Sequence, residues 1–344
     1  MGMMHDRQKG YRRNEELETL LQELNEMLEA AQRPVLARYA EPRYPVVLIV
    51  ACARAGSTLL LQWLAGTGCF AYPTNLLSRF YGAPYIGARI QQLLTDSRYS
   101  FRDEFADYTS EVNFTSDLGK TRGILAPNEF WYFWRRFFHF GEIQTLDDDA
   151  LQKVNAARFL SELAAWEAAF EKPILLKAHI INWIIPFIAR TLKKVLFIHI
   201  DREPLYVAQS LLESRQKYFG TLEEWYSFRP PEYVSLKSLS PHAQVAGQVY
   251  ATNAAISRGL SQVDERYWMR VRYEEFCQDP EQVLNTIQEK FLQQGLILHW
   301  HYRGPERFVC NNRLRLAAEE AEMISKAYRE FTREAMGEHD KKTY

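Results

Sequence analysis

The clearest pattern along the chain is a set of short, unbroken apolar runs set between stretches with helical spacing. Residues 45–51 (PVVLIVA) are the first such run, rich in β-branched side chains and free of polar interruption. That composition fits a central strand of a parallel sheet, buried on both faces. Residues 173–177 (PILLK) and 194–200 (KVLFIHI) read the same way, and 268–272 (WMRVR) as a fourth, short strand. Between them the apolar positions recur every three or four residues. Asn14 to Gln32 predicts an amphipathic helix through Leu17, Leu20, Leu21, Leu24, Met27 and Leu28, ended by Pro34. Ser57–Leu64 predicts a helix after a short glycine loop. A third helix follows Asp201-Arg202-Glu203-Pro204 to about Arg215, and Pro280 sits at the favoured first turn of another. Strands alternating with helices in this way predict an α/β fold, a doubly wound parallel sheet with helices on both faces.

Residues 1–13 lack this patterning and read as a flexible tail. The rest, 14–344, reads as one domain, with a helical, aromatic-rich insert over about 70–170. Within the insert, residues 127–140 (PNEFWYFWRRFFHF) hold eight aromatics in fourteen positions, a density that first of all predicts core packing. A chain of 344 residues has room for a single large core.

Charge and cysteine content narrow the function classes. The net charge is −1, so no global field favours nucleic acid or an anionic membrane, and any anion site must be built locally. Cys52, Cys69, Cys277 and Cys310 are widely spaced with no metal-like pairing, which fits reduced thiols. The amino-terminal residues lack the apolar segment of a secretory signal, and no run approaches the length of a membrane span. A soluble cytoplasmic protein is the expectation, and the sequon Asn113-Phe114-Thr115 reads as chance.

The first apolar run ends in Arg54-Ala55-Gly56-Ser57-Thr58 and then a helix. Strand, glycine loop and helix start form a generic anion cradle, because the first turn presents unpaired N–H groups and a partial positive charge. Gly56 permits close backbone approach, Ser57 and Thr58 add hydroxyls, and Arg54 adds a fork of charged donors. A triphosphate loop of the form G-x-x-x-x-G-K-[ST] is absent here, since Ala51 and Ser57 occupy its first Gly and its Lys. Gly119-Lys120-Thr121 imitates that motif, but Phe114 stands where its first glycine belongs and no buried strand precedes it. The strand ending in Asp201 imitates the partner acidic strand without a triphosphate loop to serve.

Arg202 lies at the carboxyl end of the third run, where ligands bind in open α/β sheets. Ser210 is eight residues on, roughly 12 Å along a helix. With these residues the chain resembles the sulfotransferases that use 3′-phosphoadenosine 5′-phosphosulfate (PAPS). Arg54–Thr58 is similar to their 5′-phosphosulfate loop, and Arg202 with Ser210 to their 3′-phosphate site. Lys177-Ala178-His179 resembles their K-x-H segment, whose histidine is the base. Tyr273-Glu274-Glu275-Phe276 before Pro280 resembles the segment whose tyrosine lies near the adenosine, and Arg303-Gly304 resembles part of their carboxy-terminal R-K-G. The resemblance spans about 45–295. It departs at Ala53 for the usual Pro, at Ala55 for Ser or Thr, and at Arg54, where cytosolic members carry Lys.

The resemblance implies in-line sulfuryl transfer from PAPS, leaving 3′-phosphoadenosine 5′-phosphate (PAP), with no metal required. Arg54 would serve the bridging oxygen and 5′-phosphate, the N–H groups of Gly56–Thr58 the same phosphate, and Lys177 the sulfuryl oxygens. The base is His179 or a glutamate, with Glu104, Glu111 and Glu129 as candidates. The aromatic segment would line a pocket for a small or carrier-tethered acceptor, oriented by Glu129, Arg135 or His139. The helix over 14–32 is a candidate homodimer contact. Two rival readings stay open: a kinase-like nucleotide-dependent transferase, and a non-catalytic nucleotide-binding protein of the same fold.

Overall fold

Each apolar run forms a strand, and alternate residues along it enter different layers of core. The computed structural model describes residues 7–102, 104–105 and 115–341. Its strands are β1 Val46–Val50, β2 Ser116–Asp117, β3 Lys120–Thr121, β4 Leu175–Lys177, β5 Val195–Asp201 and β6 Trp268–Arg272. Four of them make one parallel sheet in the order β4-β1-β5-β6, with Leu48 of β1 in register with Leu176 and Phe197. Val47 and Ile49 join Leu196 and Ile198 in one core, while Val46, Leu48 and Val50 join Val195 and Phe197 in the other. A strand covered on both faces needs an apolar side chain at every position, hence the unbroken runs.

The helices are α1 Glu15–Leu36, α2 Ser57–Gly66, α3 Pro84–Thr95, α4 Trp131–Phe137, α5 Asp148–Gln152, α6 Ala156–Phe170 and α7 Ile185–Leu192, then α8 Pro204–Phe219, α9 Tyr233–Leu236, α10 Pro241–Leu260, α11 Tyr273–Gln278, α12 Pro280–Gln293 and α13 Ala318–Lys341. The first core is closed by α2, α8, α10, α12 and α13, the second by α4, α6 and α7 with the end of α10. The expected α/β architecture is therefore present, with helices on both faces of the sheet.

The insert holds α3 to α6 and, beyond what the pattern predicted, the hairpin β2–β3. Its turn, Leu118 and Gly119, has φ of 47° and 86°, the left-handed pair of a tight hairpin. The aromatic segment packs the second core through Phe130, Phe133, Trp134, Phe137 and Phe138, with Phe130 and Phe133 stacked at 4.8 Å. Arg135 and His139 face solvent.

Two boundaries differ from expectation. α1 continues through Pro34 to Leu36, because a proline in the last turn removes one intrahelical bond and its fixed φ still suits the helix. Its stripe is also partly polar: Asn25 bonds the backbone of Arg79 and Gly82, whereas Leu20 and Met27 are exposed. At the amino end, the stretch expected as a tail makes contacts from Arg7 onward. Gln8 N donates to Tyr218 O at 3.0 Å, and the Tyr11 ring lies 4.9 Å from that of Tyr218. Among the described residues, no helix is long and apolar enough to cross a membrane.

Candidate active site

Four of the five segments singled out in the sequence lie at the carboxyl ends of the four parallel strands. β1 runs into Cys52–Thr58, β4 into Ala178-His179, β5 into Arg202 and β6 into Tyr273. β1 lies between β4 and β5, so this is the point where the strand order reverses, at which open α/β sheets bind ligands.

In the β1 loop, Arg54 and Gly56 both take positive φ, 73° and 98°. Ala55 N donates to Cys52 O at 3.3 Å, and Ala55 itself is buried in the first core. Gly56 precedes α2 and offers no side chain to cap it, which leaves the first-turn N–H groups at Ser57 and Thr58 available. The glycine has a second reason to be there. A Cβ at Gly56 would clash with the Tyr273 ring, 2.8 Å from Cε2 and nearer to Cδ2. The loop is thus pressed against the first residue after β6.

Arg54 extends toward α8, where its Nε donates to Ser210 Oγ at 3.0 Å. Arg202 lies beside it and donates from one guanidinium nitrogen to Arg54 O at 3.3 Å. Its remaining donors go to Asn312 Oδ1 at 2.7 Å and Asn311 O at 2.8 Å, and its plane lies 4.7 Å from the Tyr273 ring centre. Burial lowers the Arg202 pKa, and the neighbouring Arg54 charge lowers it further, against the opposing effect of Tyr273 and Glu274. No carboxylate within salt-bridge distance pairs with either arginine among the described residues. The chain has gathered two cations at one place, and an anion would relieve both.

A second cluster lies at β4. Lys177 Nζ donates to Thr58 Oγ1 at 3.0 Å and to Glu129 Oε1 at 2.6 Å, while Trp131 Nε1 donates to the other Glu129 oxygen. Burial alone would raise the Glu129 carboxyl, but the Lys177 and Lys120 charges outweigh it and hold the pKa at about 2. His179 is buried and its Nε2 has no hydrogen-bond partner. Burial, reinforced by Lys177, pushes its pKa down to about 3, so the imidazole is neutral. The gap bounded by Glu129, Trp131, Trp134, Lys177, His179 and Ile180 admits no water-sized sphere. Phe228 roofs it, with ring centres 6.3 Å from His179, 5.3 Å from Trp131 and 6.0 Å from Trp183.

Most of the expected residues therefore converge in two adjoining groups: Arg54, Arg202, Ser210 and Tyr273, and then Thr58, Lys177, Glu129 and His179. Arg303 does not join them. It lines a groove of about 360 Å³ with Tyr44, Thr67 and Cys69, at the opposite end of α2 and of the sheet. Beside Arg202 stand Asn311 and Asn312, which sequence reasoning missed. Asn182 was missed as well; its amide donates to Ala51 O at 2.9 Å and steadies the start of the loop. Of the glutamate candidates, Glu104 is exposed, Glu111 lies outside the described residues, and only Glu129 reaches the cluster.

The parallel sheet and the phosphate-type loop define the P-loop-like α/β class. The chain matches the sulfotransferase family over residues 45–293 and belongs to that family. Among solved structures, it is similar to the sulfotransferase STF1 from Mycobacterium tuberculosis H37Rv, at 13% identity and a TM-score of 0.50, covering 88% of this chain and 75% of that one. It is also similar to a sulfotransferase from Alicyclobacillus acidocaldarius, at 13% identity and a TM-score of 0.38, with 83% and 91% covered. A sulfotransferase domain from the curacin biosynthetic pathway matches at 18% identity and a TM-score of 0.38, over 82% and 83%. No curated protein matches the sequence.

Proposed function

We propose that the chain transfers a sulfuryl group from PAPS to a hydroxyl or amine of a small or carrier-tethered acceptor. The observation that carries this reading is the pairing of Arg54 with Arg202 at the ends of β1 and β5, beside Ser210 and with no carboxylate among the described residues bonded to either. Two guanidinium groups and a hydroxyl suit a terminal phosphate such as the 3′-phosphate of the donor, so Arg54, expected from the sequence at the bridging oxygen and 5′-phosphate, is assigned instead to the 3′ end by its bond to Ser210. Gly56, Ser57 and Thr58 would hold the 5′-phosphate on the first turn of α2, and Tyr273 would flank the adenosine.

The chemistry follows from the second cluster. Lys177 and Thr58 face the position of the sulfuryl group, and His179 Nε2 takes the proton of the acceptor. The acceptor oxygen or nitrogen forms its bond to sulfur as the bond to the bridging oxygen breaks, and PAP leaves with the electron pair. His179 suits the base better than Glu129, because both oxygens of Glu129 are committed, to Lys177 and to Trp131, whereas His179 Nε2 has no partner.

The test is a thermal-shift comparison of PAP, ADP and AMP without metal. A ligand at a hundred times its dissociation constant stabilises by about 2.7 kcal/mol, so PAP should raise the melting temperature measurably more than the other two. Equal shifts for all three would mean that the 3′-phosphate goes unread and would sink the donor assignment.

A further inference from the structure

The Gly119-Lys120-Thr121 segment, whose likeness to a triphosphate motif is accidental, is folded against the β1 loop all the same. The β2–β3 turn rests on the second cluster. A Cβ at Gly119 would lie 3.2 Å from Glu129 Oε1, 3.5 Å from Thr58 Oγ1 and 3.7 Å from Lys177 Nζ. The hairpin is also tied down along its length. Gln62 donates to Thr115 O at 3.0 Å, Asn75 and Thr121 bond at 3.3 Å, and Thr121 Oγ1 donates to Pro127 O at 2.7 Å. On its outer strand, Asp117 accepts from Lys217 at 2.5 Å and from Tyr11 at 3.1 Å.

The cations around this point are unevenly committed. Lys177 is neutralised by Glu129, and Arg54 leans away to Ser210. Lys120 follows Gly119 directly and is exposed, and among the described residues no carboxylate forms an ion pair with it. Its field nevertheless reaches the Glu129 carboxylate. A flexible ammonium stem one residue from the turn is within reach of whatever sits between Thr58 and Lys177. We propose that Lys120 is a further catalytic cation, carried by the β2–β3 hairpin, which contacts the sulfuryl oxygens of the donor. It would hold the sulfuryl group in line with the acceptor while the leaving charge grows on the bridging oxygen. The assignment rests on the donor reading given above and adds a residue to it.

Calorimetric titration with PAPS and with PAP separates the two claims, since PAP lacks the sulfuryl group. Lys120→Ala should weaken PAPS about ten- to hundredfold, the range of a charge-assisted hydrogen bond, and leave PAP within about twofold. Lys120→Arg should recover most of the PAPS affinity, and the melting temperature of both variants should match the parent. An unchanged PAPS affinity in Lys120→Ala would overturn the proposal while leaving the donor reading intact. Equal losses for PAPS and PAP would overturn it too, because Lys120 would then act on a phosphate. Failure of the parent protein to bind PAP would overturn the donor reading, and this proposal with it.

Discussion

Replacing Gly56 by alanine puts a methyl group where the Tyr273 ring already is, on a backbone at φ 98°. A side chain in left-handed geometry costs about 1–2 kcal/mol, and overpacking a buried contact about 1–3 kcal/mol. Alanine also restricts the unfolded chain, which returns about 0.4–1 kcal/mol. The net expectation is a loss of about 1.5–4 kcal/mol. Unfolding entropy near 2.1 cal/mol/K per residue, over 344 residues, gives about 0.7 kcal/mol/K, so the melting temperature should fall by about 2–6 °C. Scanning calorimetry on Gly56→Ala, Tyr273→Ala and the double variant isolates the cause. The double variant should recover the overpacking part, a coupling of about 1–3 kcal/mol. Additive losses would refute the reasoning, because they would mean that the ring is not what the new methyl meets. PAP binding should weaken in Gly56→Ala in any case, since the first-turn N–H groups shift with the loop.

Two more expectations concern the second cluster. The Glu129 carboxyl titrates at about 2 in the folded chain against a usual 4.5, so its contribution is complete above pH 4.5 and is lost as pH falls toward 2. That contribution is about 3 kcal/mol by proton linkage, so urea denaturation of Glu129→Gln should fall less steeply between pH 4.5 and 3 than the parent; identical slopes would remove the ion pair from the account. His179 stays neutral down to a pKa of about 3, so kcat/KM should show no acidic limb near the usual 6.5. His179→Asn should abolish transfer and keep the PAP thermal shift, and a loss of that shift would place His179 in donor binding.

The sheet was legible because burial on both faces forces a continuous apolar run, and the site segments were legible because each lies next to such a run. What escaped lies in segments without periodicity. Residues 296–317 form neither helix nor strand, so nothing in their pattern marks Asn311 and Asn312 as partners of Arg202. Arg303, a short way upstream in the same stretch, was chosen on local likeness and ends at the other end of the sheet. The β2–β3 hairpin escaped for a related reason. Its strands are two residues each, and its role depends on contacts with Thr58, Glu129 and Lys177, distant in the chain. Glu129 was visible as one of three candidate bases and as an orienting group of the aromatic segment, but its meeting with Lys177 is a tertiary event.

The bond from Arg202 to the Arg54 carbonyl, continued from the Arg54 side chain to Ser210, has a consequence for selectivity. The loop that follows β1 and the residues that follow β5 cannot settle independently, so the two ends of a nucleotide bound as proposed would be sensed by one jointed object. A nucleotide lacking its 3′ charge would leave Arg202 and Ser210 unsettled, and through Arg54 would leave the loop under the reactive group unsettled as well. Discrimination would then appear as slower turnover along with weaker binding, a form of proofreading by posture that acts before any bond is broken.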